Sequence, residues 1–291
     1  MTQPFAEGWS SEVMHEHGSA FSLKVTAKLD SVQSPYQLIE IYDTATYGKL
    51  MVIDGSNMVT TRDNFLYHEV LAHTALFTHP DPRRVLIIGG GDCGTLREVL
   101  KHPNVEKVWQ IDIDEMVTRM SEKYFPELCE SNHDPRANIL FADGIEWIKN
   151  CEPGSIDVII VDCTDPVGPA VGLFASDFYR DCFRALGPRG LLMQQSESPL
   201  YHTHSVIRKM HEDLTIAGAT SSHTVPFPQP IYPTGWWSCT MASQELDVTS
   251  FRIEDSAEKP FRTEYYNAEI HAASLAVPEF LRRSLDMGED D

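Results

Sequence analysis

The stretch Arg83–His102, RRVLIIGGGDCGTLREVLKH, decides the fold. An apolar run leads into three successive glycines, and apolar residues at helical spacing follow directly. A buried strand, a glycine turn and a helix in this order are typical of a nucleotide-binding loop in an α/β domain. This loop also contains a carboxylate, Asp92, where a dinucleotide would place its phosphates. The ligand must therefore be one that accepts an acid at this position.

The same rhythm continues along the chain. Short apolar strands alternate with amphipathic helices, which predicts an α/β fold with a mostly parallel, doubly wound sheet and helices on both faces. The predicted strands begin at or near Val85, Val105, Asn138, Ile156 and Gly190. We assign residues 76–291 to this Rossmann-like catalytic domain.

Residues 20–60 have a different pattern. Apolar and polar residues alternate there, and β-forming types are frequent. The tetrapeptides YGKL, from Tyr47, and DGSN, from Asp54, are typical of turns between short strands. We therefore predict a small antiparallel sheet within an N-terminal β-rich domain, residues 1–75.

Acids follow each of the first four predicted strands of the α/β domain. The carboxyl ends of parallel strands meet at one edge of a sheet, and ligands bind beyond that edge. The sequence therefore predicts a single acid-rimmed groove. Its acids are Asp92, Asp112, Asp143, Asp162 and Asp165.

The glycine loop alone favours NAD or FAD. Gly89, Gly91 and Gly94 satisfy GxGxxG, and Asp112, roughly 20 residues on, would accept hydrogen bonds from ribose. Asp92 argues against a pyrophosphate, because two like charges in a partly desolvated loop repel by several kcal/mol. A cationic nucleoside without phosphates, such as an adenosyl sulfonium compound, removes the conflict. The alternative is that Asp92 caps the following helix.

Two other acids also have two interpretations. Asp143, next to Gly144, either accepts from an adenine amino group or caps the helix that follows. Asp162 and Asp165 lie on a proline-containing loop, and a close carboxylate pair suits a cation or proton transfer. The alternative is a turn stabilised by aspartate side chains. We expect no metal, because the acids are spread along a groove and are not bunched as a cage.

Three aromatic or imidazole side chains are further candidates for lining the groove. They are Tyr67 and His68, in NFLYHEV, and Tyr232, in QPIYPTGWW. Each is equally typical of a core residue with one satisfied polar atom.

Composition narrows the class of protein. The net charge of −20 makes nucleic acid a poor partner, because phosphate binding needs basic patches. No apolar run reaches membrane-spanning length, and the first residues do not have the pattern of a signal peptide. The six cysteines form no CxxC pair, which predicts reduced thiols, a cytoplasmic location and no zinc site.

Taken together, these stretches resemble the spermidine synthases, the polyamine aminopropyltransferases. GGGD joined to DCTDPVGPA and to YYNAEIHAA carries the resemblance, which extends over residues 35 to 280. It implies a methyltransferase-like Rossmann domain behind a small antiparallel β domain, in a homodimer or homotetramer. It also implies transfer of an aminopropyl group from decarboxylated S-adenosylmethionine to putrescine, giving spermidine and 5′-methylthioadenosine without a cofactor.

The resemblance also implies roles for individual residues. Asp162 would accept the proton, with Tyr67 orienting the amine. His68, Asp92, Asp165 and Tyr232 would hold the aminopropyl arm and the acceptor. The positions on the donor side are Gln37, Gly89, Gly91, Asp92, Asp112, Asp143, Gly144 and Pro169.

The chain departs from the family pattern at several positions. Cys93 replaces a glycine of GGGDGG, and Asp112 replaces a longer glutamate. Met58, Thr61 and Val171 stand where Gln, Glu and Glu are common, which leaves the acceptor open among putrescine, cadaverine, agmatine and spermidine. Three other functions stay open: a diamine N-methyltransferase, an NAD-dependent oxidoreductase and a non-catalytic polyamine-binding protein.

Overall fold

The computed structural model describes residues 8–165 and 168–286. Its first sheet is antiparallel and five-stranded, with the strands in sequence order. The strands are β1 Trp9–Met14, β2 Ser19–Gln33, β3 Leu38–Thr44, β4 Lys49–Ile53 and β5 Ser56–Thr60. The predicted N-terminal sheet is confirmed, and β1 is a strand that the sequence analysis missed.

Alternation in β3 explains how this sheet packs. Ile39 and Ile41 are fully buried, while their neighbours on the strand are partly exposed. They join a cluster with Val117 and Phe125 of the second sheet's helical layer, so the small sheet lies against the α/β domain. The predicted turn at Asp54 is present, with Asp54 and the following glycine both at positive φ.

The second sheet has seven strands, and its first five are parallel, as predicted. The last two strands run antiparallel at one edge, which gives the spatial order β11-β12-β10-β9-β6-β7-β8. The bounds are β6 Arg84–Gly89, β7 Lys107–Asp112, β8 Ala137–Phe141, β9 Val158–Asp162, β10 Leu191–Gln195, β11 Ser221–Pro228 and β12 Trp236–Ser243.

Helices cover both faces of this sheet. Short π turns join α1 to α2 (Val70–Thr74) and α7 to α8 (Thr203–Ile207), and 3-10 turns cover His15–His17, Gly168–Phe174 and Pro233–Gly235. The α-helices are α1 Asn64–Glu69, α2 Ala75–Thr78, α3 Gly94–Leu100, α4 Glu115–Tyr124, α5 Gly144–Lys149, α6 Ser176–Leu186, α7 Pro199–His202, α8 Arg208–Ala217, α9 Ile253–Ala257, α10 Ala268–Ser274 and α11 Glu279–Asp286.

Two separate cores explain why the central strands are continuous apolar runs. In β6, Ile87 belongs to the core on one face, and Leu86 belongs to the core on the other. Ile160 and Ile159 divide in the same way in β9. Successive side chains of a strand point to opposite faces, so a strand buried on both faces has no polar alternation.

The topology places a crevice beside β6. The chain runs from β6 outward through β7 and β8, then returns to the other side as β9 and β10. Such a reversal of strand order opens a ligand-binding crevice at the carboxyl ends of the strands. Here Gly89 of β6 pairs with Asp162 of β9, so the glycine loop and the fourth acid lie at the same point.

The proposed boundary between residues 75 and 76 stays a prediction. The helical stretch from α1 to α2 runs across it, from Asn64 to Thr78.

Within the described ranges, no helix combines the length and the apolar character that a membrane span requires.

Because the central strands are buried on both faces, one substitution in them should strongly affect the stability of the fold. Ile160→Ala should lower the free energy of unfolding by about 2–5 kcal/mol, because a fully buried side chain leaves a cavity. The matched control is Ile216→Ala on α8, where the side chain is 63% exposed and the effect should stay within about 0.5 kcal/mol. Urea unfolding measures the free energy of unfolding of both variants. Equal losses would contradict the burial of Ile160 in the core.

Candidate active site at the carboxyl ends of the parallel strands

A cavity of about 510 Å³ lies where the two sheets meet at the strand ends. All but one of the predicted site residues line it: Gln37, Tyr67, His68, Gly89, Gly91, Asp92, Asp112, Asp143, Gly144, Asp162, Asp165 and Tyr232. The exception, Pro169, lies in the 3-10 turn Gly168–Phe174, and its contact stays a prediction. Pro166 of the same loop lies outside the described residues.

Close contacts explain the glycines of the loop. A Cβ at Gly89 would lie 2.1 Å from the Asp162 carbonyl oxygen, and Gly89 has φ of +83°. A Cβ at Gly91 would lie 2.7 Å from Asp112 Oδ2. At Gly94 a Cβ would lie 2.1 Å from the ring of His68. Gly94, the last glycine of GxGxxG, therefore makes room for the imidazole of His68 rather than for a phosphate.

That imidazole forms a buried pair with the acid of the loop. His68 Nε2 lies 3.0 Å from Asp92 Oδ2. Burial alone would raise the pKa of Asp92, but the His68 charge and its hydrogen bond outweigh burial and lower that pKa. Burial would likewise lower the pKa of His68, and Asp92 reverses the direction. The N–H of Gly94 also donates to Asp92 Oδ1 over 2.8 Å, so Asp92 supports the start of α3 as well.

Asp162 is held by two hydroxyl groups. Tyr67 Oη donates to its Oδ1 over 2.8 Å, and Thr95 Oγ1 donates to its Oδ2 over 2.6 Å. Burial, followed by the nearby Asp92 charge, raises the pKa of Asp162. A carboxylate with a raised pKa and fixed orientation has the properties of a general base. Burial raises the pKa of Tyr67, so its hydroxyl keeps its proton and donates.

Three of these groups are close enough to share an ion. Possible ligand atoms of His68, Asp92 and Asp162 lie within 4.8 Å of one another. Each carboxylate oxygen already has a hydrogen-bond donor or the imidazole as its partner. The four carboxylate oxygens are therefore satisfied, whereas the buried Nδ1 of His68 has no hydrogen-bond partner. The expectation of no metal stays a prediction.

The donor side of the cavity joins both sheets. Burial raises the pKa of Asp112 to about 6, and its Oδ1 accepts from the N–H of Asp114 over 2.8 Å. Asp114 in turn accepts from Gln37 Nε2 over 3.0 Å. Asp143 is exposed, and its Oδ1 caps α5 through the N–H of Ile145, 2.8 Å away. The capping interpretation of Asp143 is thus confirmed. The N–H groups of α5 bind Oδ1 of Asp143 and leave its Oδ2 unused.

Tyr232 and Met58 line the cavity, whereas Thr61 does not. Tyr232 Oη donates to the backbone oxygen of Met58 over 2.8 Å, so this bond does not depend on the side chain at residue 58. The Met58 side chain lines the cavity. The Thr61 hydroxyl instead donates to the Tyr47 carbonyl over 3.2 Å, in the turn before β4.

Two further acids escaped the sequence analysis. Glu12 on β1 is buried, accepts from the N–H of Asn57 over 2.9 Å, and has its pKa raised to about 7 by burial. Glu197 is buried at a φ of +69°, and burial and then Asp165 raise its pKa. Glu197 lies just beyond β10, so extending the strand-end rule to the fifth strand would have found it.

Comparison with known proteins agrees with this geometry. A family model described as "Spermine/spermidine synthase domain" matches residues 64–252, and one described as "Spermidine synthase tetramerisation domain" matches residues 8–61. The chain belongs to the spermidine synthase family. A polyamine aminopropyltransferase of Thioalkalivibrio sulfidiphilus is 58% identical over 95% of this chain and 97% of its own. One of Methylococcus capsulatus is 58% identical over 96% and 98%.

Solved structures of the family share the whole fold. A crystal structure of spermidine synthase in complex with the transition-state analogue AdoDATO has a TM-score of 0.92, at 36% identity over 98% of this chain and 97% of its own. The spermidine synthase of Thermotoga maritima has a TM-score of 0.90, at 35% identity over 98% and 96%. The predicted fold class, a methyltransferase-like Rossmann domain behind a small antiparallel β domain, is confirmed.

The raised pKa of Asp112 predicts that the free energy of unfolding depends on pH. Between pH 3.8 and about 6 the folded protein keeps a proton that the unfolded chain has lost, so stability falls as pH rises. The fall amounts to about 3 kcal/mol. Asp112→Asn should flatten this part of the profile, which urea unfolding at a series of pH values measures. A wild-type slope retained in the variant would contradict the assignment.

Proposed function

We propose that this protein transfers the aminopropyl group of decarboxylated S-adenosylmethionine to putrescine, giving spermidine and 5′-methylthioadenosine. The observation that carries this proposal is the Asp162 carboxylate, held by Tyr67 and Thr95 in a cavity whose other charged residues are mostly acids. Both substrates of this reaction are cations at neutral pH. The relative solved with a transition-state analogue supports the same reaction class.

The nucleoside would occupy the side of the cavity nearest β7 and β8. Gly89 and Gly91 let the ligand approach the backbone. Asp112 and Gln37 supply groups for the ribose, because Asp112 ends β7 and Gln37 is tied to the loop that follows it. The second carboxylate oxygen of Asp143 would accept from the adenine amino group, beside Gly144. Pro169 belongs to the same side in this proposal.

Asp92 would select the donor. The aminopropyl arm of the decarboxylated compound ends in an ammonium, whereas S-adenosylmethionine carries a carboxylate on the same arm. Because the pKa of Asp92 is lowered, it is ionised and attracts the first arm and repels the second. His68, which supports that ionised state, is a positioning residue for Asp92.

The reaction itself needs a neutral amine and a straight line of attack. Deprotonating a free alkyl ammonium at pH 7 costs about 5 kcal/mol, judged from lysine. Asp162 would take this proton while Tyr67 orients the amine. The nitrogen lone pair then forms a bond to the methylene carbon as the carbon–sulfur bond breaks and its electron pair leaves on sulfur. The thioether that leaves is neutral, so no acid is required for it.

The far end of the acceptor would lie among Asp165, Glu12 and Glu197. Burial raises the pKa of Glu12 to about 7 and also raises the pKa of Glu197, so both acids are costly to ionise without a cation. A second ammonium would supply the missing positive charge. The hydroxyl and ring of Tyr232 would border the carbon chain between the two ends.

The remaining properties follow the family. We propose a homodimer or homotetramer in the cytoplasm, without a metal or cofactor. The match of residues 8–61 to a tetramerisation domain supports an oligomer.

One assay separates the open functions. The purified protein is incubated with decarboxylated S-adenosylmethionine and a panel of amines, and mass spectrometry identifies the products. Methylthioadenosine with spermidine is expected. S-adenosylhomocysteine formed from S-adenosylmethionine would indicate a methyltransferase. Donor binding without turnover would indicate a binding protein, and nicotinamide binding would indicate an oxidoreductase.

Asp162→Asn should leave the dissociation constant of the donor near that of the wild type and lower kcat by roughly 10²- to 10⁴-fold, because the general base is lost. Calorimetry and steady-state kinetics measure the two quantities. Asp177→Asn, which removes a charge from a side chain that is 85% exposed, is the control. Turnover near the wild-type value in Asp162→Asn would exclude Asp162 as the base.

Asp92→Asn should reduce the preference for the decarboxylated donor over S-adenosylmethionine by roughly tenfold or more, since a charged hydrogen bond is lost. Competition binding with the two compounds measures the ratio. Asp143→Asn should weaken both by the same factor, because both contain the same nucleoside. A constant ratio in Asp92→Asn would remove the proposed selection.

A further inference from the structure

Glu69 follows Tyr67 and His68 directly on α1, yet the proposed reaction does not use it. Its side chain is only 1% exposed. Helical spacing turns it away from the cavity that Tyr67 and His68 line. A buried carboxylate is costly unless hydrogen bonds compensate it, so the role of Glu69 depends on its partners.

The partners of Glu69 are three successive backbone N–H groups from near the end of the chain. Oε1 accepts from Glu264, and Oε2 accepts from Tyr265 and Tyr266, each over 2.8 Å. Converging backbone N–H groups form an anion-binding concavity, and hydrogen bonds to an ionised acceptor are the stronger kind. The motif YYNAEIHAA, which starts at Tyr265, thus meets α1 through Glu69.

The segment that supplies these N–H groups is itself fixed. Thr263 Oγ1 donates to the Tyr266 carbonyl over 2.6 Å, and Asn267 caps α10 through the N–H of Ile270, 2.8 Å away. Tyr266 Oη lies 2.6 Å from His271 Nδ1. The N–H groups are therefore presented by a rigid turn and not by a loose tail.

Helix α1 needs an external anchor because it is short and irregular. It has six residues, and a π turn, Val70–Thr74, begins immediately after Glu69. Short helices are marginal on their own, and π turns interrupt the regular hydrogen-bond ladder. Tyr67 and His68 bind Asp162 and Asp92 on the cavity side of this turn. Glu69 attaches the same turn to the segment 264–266.

We propose that Glu69 is a positioning residue: by holding α1 on the backbone of residues 264–266, it sets the Tyr67 hydroxyl on Asp162. This inference rests on the proposed aminopropyl transfer. A displacement of about 1 Å at a reacting group can cost about 100-fold in rate. The three residues at the end of α1 then have distinct tasks: Tyr67 contacts the base, His68 supports Asp92, and Glu69 positions Tyr67.

A double-mutant cycle in kcat tests this role. Glu69→Gln keeps the shape of the side chain but loses its charge and one acceptor, so kcat should fall roughly tenfold to a hundredfold, with the donor KM nearly unchanged. In the Tyr67→Phe background, where the hydroxyl is already gone, the same substitution should cost less than about threefold. If Glu69→Gln does not fold, Glu69→Asp, which is too short to reach all three N–H groups, supplies the same cycle.

The control separates positioning from general destabilisation. Ser256→Ala removes a hydroxyl 3.1 Å from Tyr266 Oη, and so weakens the same turn without touching its N–H groups. It should lower Tm while kcat stays within about twofold in both backgrounds. Equal fold losses for Glu69→Gln with and without the Tyr67 hydroxyl would overturn the role of Glu69 alone. A wild-type protein that forms no methylthioadenosine would overturn the proposed function and this role together.

Discussion

Repulsion between carboxylates in one small cavity is the constraint on which the site depends. Asp92, Asp112, Asp162 and Asp165 face the same space of about 510 Å³, partly withdrawn from water. Two different effects relieve this repulsion. An imidazole keeps Asp92 ionised, whereas the pKa values of Asp112 and Asp162 rise. The cationic substrates proposed above would balance the negative charge that remains in the cavity.

The two sheets depend on each other at this point. Asp114 caps α4 and accepts from Ser34 Oγ over 2.6 Å and from Gln37 Nε2 over 3.0 Å, both in the connection between β2 and β3 of the small sheet. Its N–H donates to Asp112. A single turn after β7 therefore positions Asp112, the acid proposed for the ribose, and attaches the small sheet beside the cavity. At the other side, Glu12 of β1 brings a further acid to Asp165.

Local signals predicted most of the fold and much of the site. The run Val85–Gly89 is apolar because β6 is buried on both faces, and GGGD follows because the chain must pass within contact distance of Asp162. β1 was missed since its six residues carry little apolar alternation. Glu12 was missed because a single acid on a short strand has no distinguishing neighbour in sequence. Glu197 follows β10, and its sequence signal was left unused because the strand-end rule was applied to the first four strands only.

The sequence by itself determined that the acids after the first four strands share one edge of the sheet, since parallel strands bring their carboxyl ends together whatever the details of packing. It also determined that a phosphate is a poor ligand for a loop containing Asp92. Only the tertiary structure decided which acids are charged, because the His68 ring, the Tyr67 hydroxyl and the burial that shift their pKa values come from other elements. The pairing of Glu69 with N–H groups 195 to 197 residues away is of the same kind. Contacts between residues so far apart in sequence form only when the chain folds.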